Sequence, residues 1–146
     1  MPVTAAQVRE LRDKTGAGIM DCKRALEESD GDIAKAEAIL NKKGLASAAK
    51  KAGRSTSEGL VVSYIHTGGR VGSMIELNCE TDFVARTDEF EVLGRNLAMQ
   101  VAAMSPRFVD RDSVPEDAEE VKDEELLLEQ EYIRDSSMKI ADLVTD

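Results

Sequence analysis

Through the first third of the chain, apolar positions recur every three or four residues, the period of a helix with one buried face. Ala5, Val8 and Leu11 share such a face. Thr4 followed by Gln7 has the form of a capping box, and Val3 stands where it staples onto Val8, so two start signals agree. Gly16-Ala17-Gly18 interrupts the pattern, because glycine tolerates the dihedrals of a tight interhelix turn. A second helix, residues 20–28, turns Cys22, Ala25 and Leu26 inward. Ser29-Asp30-Gly31-Asp32 is turn chemistry ending in a cap, and a third helix sets Ile33, Ala36, Ile39 and Leu40 on one side. Gly44 is placed to stop it. Residues 1–45 are therefore expected to form a three-helix module. Residues 46–58, rich in Ala and Lys and lacking an apolar stripe, are expected to form a short basic linker helix.

At Gly59 the period switches from helical to alternating. Leu60, Val62 and Tyr64 point one way, and Val61, Ser63 and Ile65 the other. Thr67-Gly68-Gly69-Arg70 is a hairpin turn, and Val71, Ser73, Ile75, Leu77 and Cys79 alternate on the returning strand. A two-stranded ribbon is marginal in water, so the next helix must cover it. Phe90, Leu93, Leu97, Val101 and Met104 supply its stripe over residues 87–104, and Pro106 ends it. Leu126-Leu127-Leu128 reads as a final strand, and Ile140, Leu143 and Val144 as one side of a terminal helix. The expected class is α+β: a three-helix module, a linker helix, and a core over residues 59–146 made of a small antiparallel sheet covered by helices.

Charge is divided unevenly. Residues 1–55 carry eleven Lys and Arg against eight Asp and Glu, net +3, while residues 56–146 carry eight against twenty-one, net −13. An acidic body repels phosphate, so nucleic acid is not expected as a direct ligand, although Lys42, Lys43, Lys50, Lys51 and Arg54 give that reading a basic cluster. No run approaches the roughly 20 apolar residues that span a bilayer, and the start lacks a signal-peptide core, so a cytoplasmic protein is expected. Cys22 and Cys79 lack the partners a metal site needs and read as buried thiols. The single histidine, His66, lies on the hairpin, and no Ser or Cys has a neighbourhood that would activate it. Covalent catalysis, a bound metal and a cofactor are all unexpected. A protein-binding role is what remains.

The segment Asn78-Cys79-Glu80-Thr81-Asp82-Phe83-Val84-Ala85 lies between strand and helix, where a short polar turn belongs. One of only five aromatics, Phe83, occupies it beside a carboxylate. Two readings follow. Either Phe83 folds back to plug the junction of sheet and helix, or the ring and its neighbouring carboxylate stand out for a partner protein.

Taken together, Leu11-Arg12-Asp13-Lys14-Thr15-Gly16-Ala17-Gly18-Ile19-Met20-Asp21-Cys22-Lys23-Arg24-Ala25-Leu26, Asp30-Gly31-Asp32, Lys50-Lys51-Ala52-Gly53 and Glu76-Leu77-Asn78-Cys79-Glu80-Thr81-Asp82-Phe83-Val84-Ala85-Arg86 closely resemble the elongation factor Ts family. The resemblance is dense over residues 4–115 and thinner over residues 125–144. It implies a guanine-nucleotide exchange factor for the GTPase elongation factor Tu, acting on the GDP and Mg²⁺ held by that partner. On this resemblance, Thr81, Asp82, Phe83 and Val84 form the element that dislodges the magnesium. Arg12, Ile19, Met20 and Lys23 then dock from an N-terminal ubiquitin-associated-like module. A non-catalytic ubiquitin-associated-type adaptor is the alternative reading of the same three helices. Against the longer members, the chain lacks a second core half, a helical hairpin and a basic closing strand; pairing of two subunits into a homodimer is the implied substitute.

Overall fold

The computed structural model describes residues 3–145 and resolves them into two compact units, residues 3–52 and 53–145. In the first unit, α1 (Ala5–Thr15) starts at Thr4, whose side chain accepts from the Gln7 amide while Gln7 returns the bond to the Thr4 amide at 2.9 Å. Gly16, at φ 67°, closes α1 in the left-handed conformation that a Cβ would penalise. α2 (Ile19–Glu28) and α3 (Ile33–Lys51) follow, the latter capped by Asp32, which accepts from the Lys35 amide. Leu11, Cys22, Ala25, Leu26, Ala36 and Leu40 form the core, with Val3, Val8, Ile33 and Ile39 packed around it. Ala5, by contrast, is exposed.

The third helix does not stop at Gly44. It runs unbroken to Lys51, so the basic stretch is the last part of α3 rather than a separate linker helix. Glycine costs a helix about 1 kcal/mol relative to alanine. Ala46, Ala48 and Ala49, all strong helix formers, offset that cost.

In the second unit, β1 (Glu58–Ile65) and β2 (Gly72–Cys79) pair antiparallel, with Leu60 opposite Leu77 and Val62 opposite Ile75. Gly68 and Gly69, both at positive φ, make the turn. α5 (Asp88–Met104) lies across the inward face of this hairpin, burying Phe90 and Leu97; Met104, at the end of the expected stripe, is exposed. The approach is close at Gly94, where an added Cβ would stand 2.8 Å from Val62 Cγ2. Ser105, in the left-handed conformation, and then Pro106 end the helix.

Residues 126–128 are not a strand. They lie in and beside two short 3₁₀ turns, Asp123–Glu125 and Leu127–Glu129, and meet the preceding loop at the Phe108–Leu126 bridge, where the Leu127 and Leu128 amides donate to the Phe108 and Val109 carbonyls. A second small sheet follows from β3 (Glu131–Tyr132) and β4 (Asp135–Lys139), leading into α6 (Ile140–Thr145). Ile140 is fully buried, whereas Val144, one turn on, is exposed. The antiparallel strands therefore form two separate pairs.

Gln100, fully buried on α5, holds this C-terminal stretch in place. Its amide nitrogen donates to Gln130 Oε1 and to the Glu131 carbonyl, and its oxygen accepts from the Ile133 amide at 3.0 Å. Glu125 pins the preceding loop, accepting from the Lys122 amide and from Arg107, each at 2.9 Å; the backbone bond, then Arg107, lowers its pKa.

Two glycines predict opposite outcomes. Gly94→Ala drives a methyl into the stiff Val62 side chain and is expected to cost about 1–3 kcal/mol, seen as a lower midpoint of the second unit's thermal transition. Gly44→Ala meets nothing within 4 Å and is expected to raise α3 stability by roughly 0.5–1 kcal/mol in denaturant titration.

Candidate functional site

Between β2 and α5 the chain makes one helical turn, α4 (Asp82–Ala85). Thr81 is its cap: an extended backbone aims the hydroxyl at the Val84 amide, 3.4 Å away. Cys79, buried at the end of β2, donates its Sγ–H to the Thr81 carbonyl at 3.1 Å. Only Ala85 of this turn faces the interior, where it joins Cys79 and Phe90. Phe83 points the other way and is 79% exposed; Val84 beside it is 44% exposed.

Of the two readings of Phe83, the outward one is what the geometry gives. The small side chain of Ala85 takes the junction that Phe83 was a candidate to plug. Asp82 departs from expectation. It is half-buried and pairs with Arg86 at 2.8 Å, one turn on, so its carboxylate is engaged within α4 rather than free. Glu80 is likewise paired, with Arg54 at 3.4 Å.

On the first unit, Ile19 and Met20 open α2 and are 57% and 61% exposed. Arg12, Ile19 and Lys23 come together with Val3, Val8 and Arg9 around a groove of about 430 Å³; Met20 is outside its lining. Lys23 is loosely paired with Glu27 at 3.8 Å, while among the described residues Arg12 has no ion-pair partner. An apolar floor with a cationic rim can seat a partner surface that carries apolar side chains and carboxylates.

Three features escaped the sequence reading. Gln100 looks like a solvent-facing helix residue, and its burial depends on a segment thirty positions away. Gly94 gives no local turn signal. Along the outer face of the hairpin, Val61, Ile65 and Met74 are 68%, 65% and 74% exposed, an apolar patch whose signal was present in the alternation itself. His66 is exposed and bonded to Tyr64 Oη at 3.0 Å. Among the described residues no cluster of His, Cys, Asp or Glu has the arrangement of a metal site, and no helix is long and apolar enough to cross a membrane.

Known proteins match this chain over most of its length. The family described as Elongation factor TS matches residues 46–125, which include α4. Elongation factor Ts of Fervidobacterium nodosum is 60% identical over 130 residues, covering 89% of this chain and 66% of that protein. Elongation factor Ts of Thermotoga neapolitana is 49% identical over 174 positions, covering all of this chain and 88% of that protein. Elongation factor Ts of Anaeromyxobacter dehalogenans is 48% identical, covering 99% of this chain and 80% of that protein. The Thermotoga alignment spans 174 positions against the 146 residues of this chain, so at least 28 of them have no counterpart here.

Because Phe83 makes little contact with its own chain, Phe83→Ala is expected to shift unfolding free energy by no more than about 0.5 kcal/mol, measured by urea titration.

Proposed function

The chain belongs to the elongation factor Ts family of translation elongation factors, and on that footing we propose that it is a guanine-nucleotide exchange factor for elongation factor Tu. The observation that carries the reading is the outward Phe83, held on a capped turn within the region that matches the family. In this reading Phe83 and Val84 enter the GTPase as an apolar wedge, Thr81 and Asp82 keep the wedge in shape, and Arg12, Ile19, Met20 and Lys23 dock the N-terminal unit. No covalent chemistry and no cofactor of its own is required, and the action is cytoplasmic. A free-standing adaptor role gains no support from the family match, which falls mainly on the second unit.

Mg²⁺ bridges the nucleotide phosphates to a loop hydroxyl in GTPases of this class, so it holds nucleotide and loop together. A wedge that shifts the elements carrying that loop breaks the coordination geometry without touching the nucleotide. Exchange is then a coupling free energy: the factor binds the distorted, emptied GTPase better than the loaded one, and nucleotide must weaken the factor's binding equally. Moving a two-state equilibrium from 1:99 to 99:1 takes about 5.5 kcal/mol of differential affinity. Burying one Phe contributes roughly 1.5–3 kcal/mol. Phe83 alone is therefore insufficient, and other contacts must also distinguish the two states.

The test is release of a fluorescent GDP analogue from magnesium-loaded elongation factor Tu. The wild-type chain is expected to accelerate release, and Phe83→Ala to lose at least tenfold of that acceleration. Equal rates for the two proteins would refute the role of Phe83.

We also assign the apolar outer face of the β1–β2 hairpin to self-association. Exposed Val61, Ile65 and Met74 on a two-stranded sheet are what a second copy would bury. Sedimentation is expected to show a concentration-dependent dimer that Met74→Glu converts to monomer; a wild-type monomer at all concentrations excludes it.

A further inference from the structure

We infer that Thr87 is the positioning residue of the exchange element, setting the direction in which Phe83 is presented. The inference rests on the exchange reading above. A single helical turn lies far below the length at which a helix holds itself together. α4 buries only Ala85, and its two large apolar side chains face solvent, so packing at one small residue selects the inward side but does not hold the turn in a fixed direction. Its direction must come from hydrogen bonds and from its junction with α5.

Thr87 is that junction. Its hydroxyl donates to the Val84 carbonyl at 2.8 Å and its backbone amide donates to the same carbonyl at 3.0 Å. The same hydroxyl oxygen accepts from the Phe90 amide at 3.3 Å, capping α5. One oxygen thus ends the turn that carries the wedge and begins the long helix seated on the sheet. Phe90, whose amide it receives, is buried with Cys79 and Ala85, so the joint is anchored to the core. Loss of the hydroxyl's bond leaves the Val84 carbonyl held by the Thr87 amide alone, which loosens the joint and spreads Phe83 over more directions. Preorganisation of the wedge is what is lost, and ordering it again adds to the barrier of the step in which it enters the distorted GTPase.

Donor and acceptor roles separate by substitution. Thr87→Ser keeps both. Thr87→Asp keeps an acceptor for the Phe90 amide, and aspartate is a good cap, but it has no proton for the Val84 carbonyl. Thr87→Val keeps neither and adds no charge. In the GDP-release assay, the rate at saturating factor is expected to fall at least roughly threefold for Asp and Val, the scale of one hydrogen bond. It should stay within twofold for Ser, and the concentration giving half the maximal effect should not change. Thermal unfolding of the Asp variant should match wild type.

Amide hydrogen exchange reads the joint without the partner. Ala85 and Arg86 should lose protection in the Asp variant while the Phe90 and Glu91 amides keep theirs. Unchanged protection at Ala85 and Arg86 overturns the inference, whatever the exchange assay gives. It is equally overturned if Val behaves as wild type while Asp does not, an effect of charge, or if Ser loses as much as Val. Inactivity of the wild-type chain toward GDP release would instead sink the exchange reading, and the protection pattern would still decide whether Thr87 holds the turn.

Discussion

Everything in the second unit depends on α5 lying flat against the β1–β2 hairpin. Two strands alone do not bury enough apolar surface to persist in water. The helix supplies Phe90 and Leu97, and the hairpin supplies Leu60, Ile75 and Leu77. Gly94 is what lets the two surfaces close, since its missing side chain leaves room for Val62. Both other parts of the unit hang from this contact. α4 is joined to the N-terminus of α5 through Thr87, and the segment after residue 130 is held near its C-terminal end by Gln100.

The joint is therefore asymmetric in chemistry. Toward the C-terminus, α5 holds its neighbour with a buried amide that makes three hydrogen bonds, and a buried polar group left unpaired costs about 1–3 kcal/mol. That connection resists loosening. Toward the N-terminus, the bonds of α4 are all on or near the surface, where water competes for each of them and the net worth of one is about 1 kcal/mol. The Asp82–Arg86 pair, open to solvent on its Arg86 side, adds less still. In the exchange role proposed, such an element is fixed well enough to aim and lightly enough to adjust.

Legibility in the sequence followed the range of the forces. The three N-terminal helices, their caps and the hairpin were readable because period, cap and turn chemistry are local. Leu11, Cys22 and Leu26 announce their burial through helical spacing alone. Where the outcome depended on competition or on distant partners, reading failed. Glycine favours the position after a helix end, so Gly44 signals a stop, yet the alanines beyond it carry α3 onward. Leu126-Leu127-Leu128 has the composition of a strand, but no neighbouring strand offers it a ladder, so the backbone turns instead. Gln100 gave no signal, because its partners lie thirty and more residues on.

Phe83 was legible only as a choice between inside and outside, and the choice was made by Ala85. Turning a single helical segment places either residue against Cys79 and Phe90; the smaller one fits there without displacing the strand end. An exposed Phe forgoes roughly 1.5–3 kcal/mol of burial that the fold would otherwise gain. A chain that keeps such a residue outward, and arranges Thr81, Cys79 and Thr87 around its turn, has traded part of its own stability for an apolar surface available to a partner. In the exchange role proposed, that withheld burial is realised only on the distorted form of the GTPase. The ring then contributes nothing to recognising the loaded state, and its whole effect falls on the difference between the two.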